Sequence, residues 1–342
     1  MKNSENILYR SITAFYIALI LTIIVISKSI KILYTVRIKG QPIRQEGTKY
    51  HLIKKGTPIT GGITFVSIIT ITNIACSRIK NKYIISIILT MFLFSLIGII
   101  DDYIKIKNRN TRGVKIKVKV LMQVISSAII AKNISREESY LAKTIYISDN
   151  IIIVLKKFYL LVASLVIISS SNATNLTDGL DGLVIGQIII IYSIFIIISY
   201  VASDEFKSYE KRYIYIREIR EITIFCTAIT GSCLGFWWYN THPAKIFMGD
   251  TGSLAIGSTI GLLSIITKNE FNIILISFVL VVETISVILQ ITFFKIKKKR
   301  ILRMAPIHHH FEQIGIPEFT ISSRMIIISL IINFINLIKI IY

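Results

Sequence analysis

Two adjacent carboxylates, Asp101 and Asp102, stand where an apolar segment ends, in the motif GIIDDY. Neighbouring carboxylates repel each other, and at a membrane boundary they also lose hydration, so a cation or a proton has to compensate them. The pair predicts a binding site for a positively charged partner. A solvated helix end is the alternative interpretation of the same two residues.

Three further aspartates lie in motifs that contain glycine. Asp178 and Asp181, in NATNLTDGLDGL, are three residues apart, which on a helix puts both carboxylates on one face beside glycines that allow close backbone approach. Asp250, in FMGDTGSL, precedes an apolar run, where the N–H groups of a helix start can face an anion. Each motif alone also fits an ordinary capped turn. Their combination is what predicts a site.

Several aspartates without a cysteine cluster favour a hard cation that binds oxygen, such as Mg²⁺, over zinc. Basic residues that suit phosphate groups accompany the aspartates, namely Lys54, Lys55, Lys105 and Arg303. Carboxylates, a divalent cation, lysines and glycine-rich turns together indicate a phosphoryl-transfer site.

Three consecutive histidines, His308, His309 and His310, lie in APIHHHFE, just before the last apolar segment. Imidazole, with a pKa of about 6.5, can donate hydrogen bonds to phosphate and can assist a leaving group as charge develops on it. We interpret the tract as a substrate contact beside the metal; an incidental metal-binding tract is the alternative. Glu283, the single acid within an apolar run, is either functional or the buried partner of a polar contact.

The elements that must position these motifs are apolar runs that can cross a membrane. Hydrophobic residues make up 53% of the 342 residues and the mean hydropathy is +0.66, and a helical span needs about 20 residues. The predicted fold class is therefore all-α, a polytopic membrane protein with about ten transmembrane helices. The predicted spans are 12–30, 58–76, 83–101, 118–132, 151–171, 183–201, 222–239, 252–267, 271–293 and 324–341.

Ten spans place both termini on one side and divide the connecting segments into two sets. One set holds 23 of the 40 lysines and arginines, which predicts that these loops are cytoplasmic and the termini periplasmic. Anionic lipid explains the net charge of +21, and nucleic acid is not an expected partner. The loops of this set are 28–57, 102–119, 172–182, 240–251 and 294–324.

The polar motifs all fall in or beside those five loops, including GTPITGG at 56–62. Scattered structural polar residues would be divided between the two sides. The segregation predicts one composite site on the cytoplasmic face, within a single catalytic domain that covers residues 1–342.

Together, GTPITGG, GIIDDY, NATNLTDGLDGL, FMGDTGSLAIG and RMAPIHHHFE resemble the signatures of the phospho-N-acetylmuramoyl-pentapeptide-transferases, in order and from about residue 50 to 312. The aspartate motifs are shared with the wider superfamily of polyprenyl-phosphate N-acetylhexosamine-1-phosphate transferases. APIHHHFE is typical of the muramoyl-pentapeptide branch. The histidine tract therefore distinguishes the two branches.

The resemblance implies an Mg²⁺-dependent enzyme of the bacterial inner membrane. It would transfer phospho-N-acetylmuramoyl-pentapeptide from its UDP derivative to undecaprenyl phosphate, giving lipid I and UMP in the first membrane step of peptidoglycan synthesis. It also implies ten helices, periplasmic termini and a cytoplasmic active site. Because the family forms dimers, a homodimer is a further expectation.

The resemblance also implies roles for individual residues. Asp250 would bind Mg²⁺, while Asp101 and Asp102 would handle the lipid phosphate, one of them as a base. Phe247 would stack on the uracil. The histidines and the following residues would line the donor pocket: Lys54, Lys105, Asn172, Asn175, Asp178, Asp181, Asn240, Phe247 and Gln290.

Ile59 departs from the family pattern, because the usual TPTMGG has a threonine at that position. Any hydrogen bond from that hydroxyl is absent here or comes from Thr60.

Two mechanisms fit the same residues, direct attack by the lipid phosphate or a covalent aspartyl intermediate, and we favour direct attack. The alternatives to the muramoyl-pentapeptide enzyme are a sister-branch transferase that uses a UDP-N-acetylhexosamine and, in another class, a transporter, whose polar residues would lie near the bilayer midplane.

Overall fold

A computed structural model describes residues 2–35, 56–110, 112–134, 144–148, 151–210 and 213–341. Helices dominate this part of the chain, and one two-stranded sheet accompanies them. The chain is an all-α polytopic membrane protein, as predicted from the sequence. Its α-helices, in chain order, are α1 (Lys2–Thr35), α2 (Gly61–Cys76), α3 (Lys82–Asn108), α4 (Ile116–Ile134), α5 (Tyr159–Thr177), α6 (Leu183–Ala202), α7 (Glu205–Glu210), α8 (Arg220–Asn240), α9 (Gly249–Ile266), α10 (Ile273–Ile276), α11 (Phe278–Lys297), α12 (Ile307–Ile314) and α13 (Glu318–Ile341).

Eight helices in the described part of the chain are long and apolar enough to cross a membrane. The second and fourth predicted spans are also helices, but α2 has only 16 residues and α4 carries three lysines. The predicted ninth span is divided at Ser277, where the short α10 ends and α11 begins.

The prediction for the start of the fifth span was wrong. Residues 151–154, three isoleucines and a valine, form strand β2, which pairs antiparallel with β1 (Thr144–Ser148). β-branched side chains suit a pleated strand as well as they suit an apolar helix, so hydrophobicity alone does not separate the two structures. The membrane helix begins at Tyr159 instead.

Helix α9 lies at the centre of the bundle, and almost all of its residues are buried. It packs against α3 and α5 along its length. A Cβ atom on Gly261 would lie 2.8 Å from the backbone of Ile167, and one on Gly257 would lie 2.7 Å from the carbonyl oxygen of Ser170. Small residues allow membrane helices to approach this closely. The central helix is therefore fixed against its neighbours by backbone contact.

A second fixed point ties the first helix to α2 and α8. The Arg10 guanidinium donates hydrogen bonds to both carboxylate oxygens of Glu221, at 2.9 and 2.7 Å, and to the carbonyl oxygen of Cys76. Glu221 also accepts a hydrogen bond from the Arg78 N–H. A bidentate pair of this kind is strong and directional. It gives the end of the charged segment 202–221 a structural role.

Candidate active site

The five polar motifs meet at one end of the bundle. The Gly61 N–H donates to the carbonyl oxygen of Phe247 at 3.2 Å, and the Phe247 N–H donates to that of Pro58 at 2.9 Å. Gly179 lies directly against the imidazole of His308. Sequence segments more than a hundred residues apart therefore build one surface, as the segregation of the motifs predicted.

Asp102 connects the end of α3 to the start of α9. Its carboxylate accepts hydrogen bonds from the backbone N–H groups of Asp250 and Thr251, at 3.1 and 3.0 Å, and from the Thr251 hydroxyl at 2.7 Å. An anion at a helix N-terminus satisfies N–H groups that have no partner within the helix. Asp102 thereby fixes the backbone that carries Asp250.

Two lysines bridge the carboxylates. Lys105 Nζ lies 2.6 Å from Asp101 Oδ2 and 2.8 Å from Asp250 Oδ1, and Lys119 Nζ lies 2.5 Å from Asp250 Oδ2. Sequence reasoning identified Lys105 and missed Lys119. The alternating lysines of VKIKVKV indicate only a basic loop, and the fold alone selects the one that reaches Asp250.

The carboxylates have the arrangement of a cation site. Asp101, Asp102 and Asp250 are all buried, and one carboxylate oxygen from each lies within 4.8 Å of the others. Oxygen donors from several carboxylates suit a hard divalent cation. A cation bound here would have to share Asp250 with the two ammonium groups or displace one of them.

Asp178 follows the last residue of α5 and is half-buried at the edge of this cluster. Burial raises the pKa of its carboxyl to about 7, the nearby carboxylates of Asp250, Asp102 and Asp181 add to the rise, and Lys105 opposes it. Asp178 can therefore gain or lose a proton near neutral pH, the range in which a general base is most effective.

We expect Asp178→Asn to change the pH dependence of stability. The pKa of the Asp178 carboxyl is about 7 in the folded protein and its ordinary value is 3.8. Between these two pH values the folded protein binds more protons than the unfolded protein does, so the free energy of unfolding falls as pH rises from about 4 to about 7. The variant should have a higher Tm than wild type at pH 8 and an unchanged Tm at pH 4, measured in detergent without added metal. Asp204→Asn, beyond the far end of α6, is the control. Equal Tm differences at both pH values would contradict the prediction.

Asp181 belongs to a second cluster of ionisable groups. His242 Nδ1 lies 3.2 Å from Asp181 Oδ2, and the Ala244 N–H donates to the same oxygen at 3.0 Å. Glu318 accepts a hydrogen bond from the Asp181 N–H at 2.6 Å. Sequence reasoning missed His242 and Glu318, which stand alone in their segments without any motif of their own.

The three histidines have three different environments. His308 is fully buried, His309 has its Nδ1 2.6 Å from a carboxylate oxygen of Glu312, and the half-buried His310 accepts a hydrogen bond at Nδ1 from the Arg303 N–H at 3.1 Å. Residues that are adjacent on a helix point about 100° apart. His308 and His309 are both buried and His310 is half-buried, so the three side chains do not share one environment.

Glu283 is the partner of the buried histidine. His308 Nδ1 lies 3.0 Å from Glu283 Oε2, and both side chains are fully buried. The distance allows a charge interaction, but the two groups do not meet hydrogen-bond geometry, so the carboxylate restricts the position of the ring without fixing its tautomer. Nε2 of the same ring lies against Gly179, between Asp178 and Asp181. Glu283 thus supports the turn that carries two candidate site residues.

We expect Glu283→Gln to lower kcat roughly 10- to 100-fold, the range seen when a metal-binding histidine loses its carboxylate partner. Catalytic turnover measured across pH checks this result, because a changed histidine environment should also shift the pH profile. Glu270→Gln is the matched control: Glu270 is likewise buried and accepts a hydrogen bond from the Tyr159 hydroxyl at 2.7 Å, but it follows the other end of α9. A loss of activity in both variants without a shifted profile would indicate a general loss of stability.

The predicted amides make structural contacts. Asn172 pairs reciprocally with Gln123 of α4, at 2.9 and 3.2 Å, and the Asn175 amide donates to the Ser253 hydroxyl. These two residues join α5 to its neighbours. Because the Asn172 side-chain amide is already paired with Gln123, it would have to give up this pair to contact a substrate.

Asn240 and Gln290 hold loops in place. Asn240 accepts a hydrogen bond from the Gly182 N–H and donates one to the carbonyl oxygen of Ile246. Gln290 accepts hydrogen bonds from the N–H groups of Ile301 and Leu302.

Two further predicted site residues are Phe247 and Lys54. Phe247 is half-buried, and Lys54 lies outside the described residues.

The sequence was compared with family models and with known proteins. Residues 84–268 match the family model for glycosyl transferase family 4. The chain is 41% identical to a phospho-N-acetylmuramoyl-pentapeptide-transferase of Rickettsia felis over 335 residues, which are 97% of this chain and 92% of that protein. The chain belongs to the phospho-N-acetylmuramoyl-pentapeptide-transferase family. The Rickettsia prowazekii protein of the same name is 40% identical over the same shares of both chains.

Membership in the phospho-N-acetylmuramoyl-pentapeptide-transferase family agrees with the motif resemblance. The region matched by the family model begins within α3 and ends just beyond α9. It therefore contains the aspartate cluster, Lys119 and the Asp178 turn, whereas the histidine tract lies beyond it. The long alignment to the Rickettsia proteins covers both parts.

Proposed function

We propose that this chain transfers phospho-N-acetylmuramoyl-pentapeptide from its UDP derivative to undecaprenyl phosphate, producing lipid I and UMP. The observation that carries the proposal is the cluster of Asp101, Asp102 and Asp250 with Lys105 and Lys119, at one end of a membrane bundle of this family. A reaction between two phosphate-bearing substrates, one of them a lipid, needs such a group of charges at the membrane boundary.

Mg²⁺ is the cation that we propose for the aspartate cluster, with Asp250 as its main ligand. When bound, Mg²⁺ would neutralise part of the negative charge on the phosphate groups and polarise the P–O bonds. Lys105 and Lys119 would bind phosphate oxygens at the same place. The three carboxylates and two ammonium groups sum to one negative charge, which favours binding of a divalent cation before an anionic substrate.

The reaction is a displacement at phosphorus. An oxygen of the deprotonated lipid phosphate attacks the β-phosphorus of the donor, a new P–O bond forms, and the bond to the bridging oxygen breaks, so that the electron pair leaves with UMP. Asp102 already accepts three hydrogen bonds, which weakens it as a nucleophile and supports direct attack over an aspartyl intermediate. Asp101 stays the proposed base of the predicted pair, Asp178 becomes a second candidate because its pKa is about 7, and Phe247 stays the proposed contact for uracil.

We also propose a cytoplasmic active site in the bacterial inner membrane. A UDP-linked donor reaches the enzyme from the cytoplasm, and the larger share of lysine and arginine in the loops at the same end of the bundle supports this orientation. The homodimer stays a prediction. A transporter is disfavoured because the charged cluster lies at helix ends and not at the midplane of the spans.

Release of UMP by the purified protein in detergent tests the proposal. With undecaprenyl phosphate and Mg²⁺, we expect UMP from UDP-N-acetylmuramoyl-pentapeptide and none from UDP-N-acetylglucosamine. Release from the acetylglucosamine donor alone would assign the chain to the sister branch. Release from neither donor would refute the proposed transfer.

A further inference from the structure

We propose that Glu318, the first residue of α13, positions Asp181 for binding of the UDP-linked donor. This inference rests on the proposed function, in which Asp181 lines the donor pocket, and it gives a role to a glutamate that belongs to none of the sequence motifs. Glu318 is buried, and its Oε1 accepts a hydrogen bond from the Asp181 N–H at 2.6 Å. A side chain of the last helix thus holds the backbone of a turn that lies 137 positions earlier in the chain.

The start of α13 holds Asp181 at both of its backbone polar groups. One turn after Glu318, the Ser322 hydroxyl donates to the carbonyl oxygen of Asp181 at 3.2 Å. Hydrogen bonds to a charged group are strong where little water competes for them. Apolar side chains of the turn and of α13 also share one buried cluster, which contains Leu180, Leu183, Ile321 and Met325. The position of the turn therefore depends on the position of the first turns of α13.

The side chain of Asp181 contacts a third segment, the loop between α8 and α9. Its Oδ2 accepts a hydrogen bond from the Ala244 N–H at 3.0 Å and lies 3.2 Å from His242 Nδ1. The same loop carries Phe247, the proposed contact for uracil, three residues after Ala244. A displaced Asp181 would therefore disturb two parts of the proposed donor pocket, its own carboxylate and the loop that carries Phe247.

Two buried carboxylates meet at this place beside one imidazole. His242 Nδ1 lies 3.2 Å from Asp181 Oδ2 and 3.7 Å from Glu318 Oε2. Neighbouring carboxylates repel each other and lose hydration on burial. For packing alone, an apolar side chain would fill the space of Glu318 without this cost. A glutamate is favoured here because it supplies the acceptor that holds the Asp181 N–H.

Equilibrium binding of UDP-N-acetylmuramoyl-pentapeptide to the protein in detergent with Mg²⁺, without undecaprenyl phosphate, tests this role. We expect Glu318→Ala to raise the Kd of the donor about tenfold, the scale of one hydrogen bond to a charged group. Its kcat at saturating substrates should stay within about threefold of wild type, because the lost contact acts on binding. Glu318→Gln keeps an oxygen that can accept from the Asp181 N–H, so its Kd should stay within about twofold of wild type. An unchanged Kd in Glu318→Ala would overturn the proposal.

Glu221→Ala is the matched control. Glu221 is also buried and accepts a hydrogen bond from a backbone N–H, that of Arg78 at 2.7 Å, but it lies at the start of α8, whereas the loop with Phe247 follows the end of that helix. Both alanine variants should have a lower Tm, since each leaves a buried N–H without its acceptor. Only Glu318→Ala should bind the donor more weakly. Equal increases of Kd in the two variants would overturn the proposal.

A double-mutant cycle tests whether Glu318 acts through Asp181. Asp181→Ala removes the carboxylate that the turn presents, so that adding Glu318→Ala should raise the Kd of the donor by less than about twofold further. Additive increases would show that Glu318 acts independently of Asp181 and would overturn the proposal. If Glu318→Ala does not fold, Ser322→Ala removes the other hydrogen bond to the same residue and should raise the Kd about threefold. An unchanged Kd in Ser322→Ala would then overturn the proposal.

Donor binding and UMP release separate this inference from the proposed function. If the wild-type protein binds the donor but releases no UMP, the proposed transfer fails and the Kd values still decide the role of Glu318. If it releases UMP and Glu318→Ala binds the donor as tightly as wild type, the role of Glu318 fails and the transfer stands. Absence of donor binding by the wild-type protein would overturn both.

Discussion

Asp250→Asn is expected to lower kcat by at least roughly a thousandfold, the scale on which removal of a key electrostatic group acts. Asp250 is the carboxylate that faces both Lys105 and Lys119, and it is one of three that could hold a divalent cation. Asparagine keeps the shape but removes the charge that offsets two ammonium groups. UMP release at saturating concentrations of both substrates measures the effect.

Loss of folding has to be separated from loss of chemistry in this variant. Asp204→Asn is the control, since Asp204 accepts a hydrogen bond from the Lys207 N–H at the opposite end of α6. The Tm in detergent should fall for Asp250→Asn, because two ammonium groups lose their counterion, and should stay near the wild-type value for Asp204→Asn. The loss of kcat in Asp250→Asn should exceed the loss of folded protein at the assay temperature. Turnover by Asp250→Asn with an unchanged Mg²⁺ requirement would refute the assignment of Asp250 as the main ligand.

Gly98→Ala should have the second largest effect, although Gly98 bears no functional group. A Cβ atom at this position would overlap the backbone of Asp250 and Thr251, so α3 would have to move away from α9. Overpacking usually costs about 1–3 kcal/mol. The movement would also pull Asp102 from the start of α9, and a displacement near 1 Å in an active site can cost roughly a hundredfold in rate.

Gly231→Ala is the matched control for this substitution. Its Cβ atom would overlap the carbonyl oxygen of Phe15, but at the contact between α1 and α8. Both variants should have a lower Tm, and only Gly98→Ala should lose activity per folded molecule. If the two variants lose activity equally, the contact between α3 and α9 has no special role in positioning the aspartates.

The helices were predictable because apolar runs of spanning length leave few alternatives in a membrane. The convergence of the motifs was also predictable, since alternating loops must lie on the same side. Lys119 was not predictable, because it resembles Lys115 and Lys117 until the start of α4 directs it towards Asp250. Residues 151–154 were misassigned because isoleucine and valine occur in membrane helices as well as in strands.

The histidine tract shows the limit of motif reasoning most clearly. The contact of the three imidazoles with the donor stays a prediction, and the structure adds a buried carboxylate beside His308, that of Glu283. These two residues are 25 positions apart, on different helices. Sequence spacing carries no information about such a pair, because it forms only when α11 and α12 pack together.

The pairing of Arg10 with Glu221 has a consequence for biosynthesis. The two residues are 211 positions apart, and ribosomes add about 5–20 residues per second. The first helix therefore enters the membrane about 10–40 s before its carboxylate partner has been synthesised. During that time the Arg10 guanidinium must be solvated at the membrane surface or by the insertion machinery. Assembly of this bundle thus has a built-in order, in which α1 reaches its final position only after α8 has emerged.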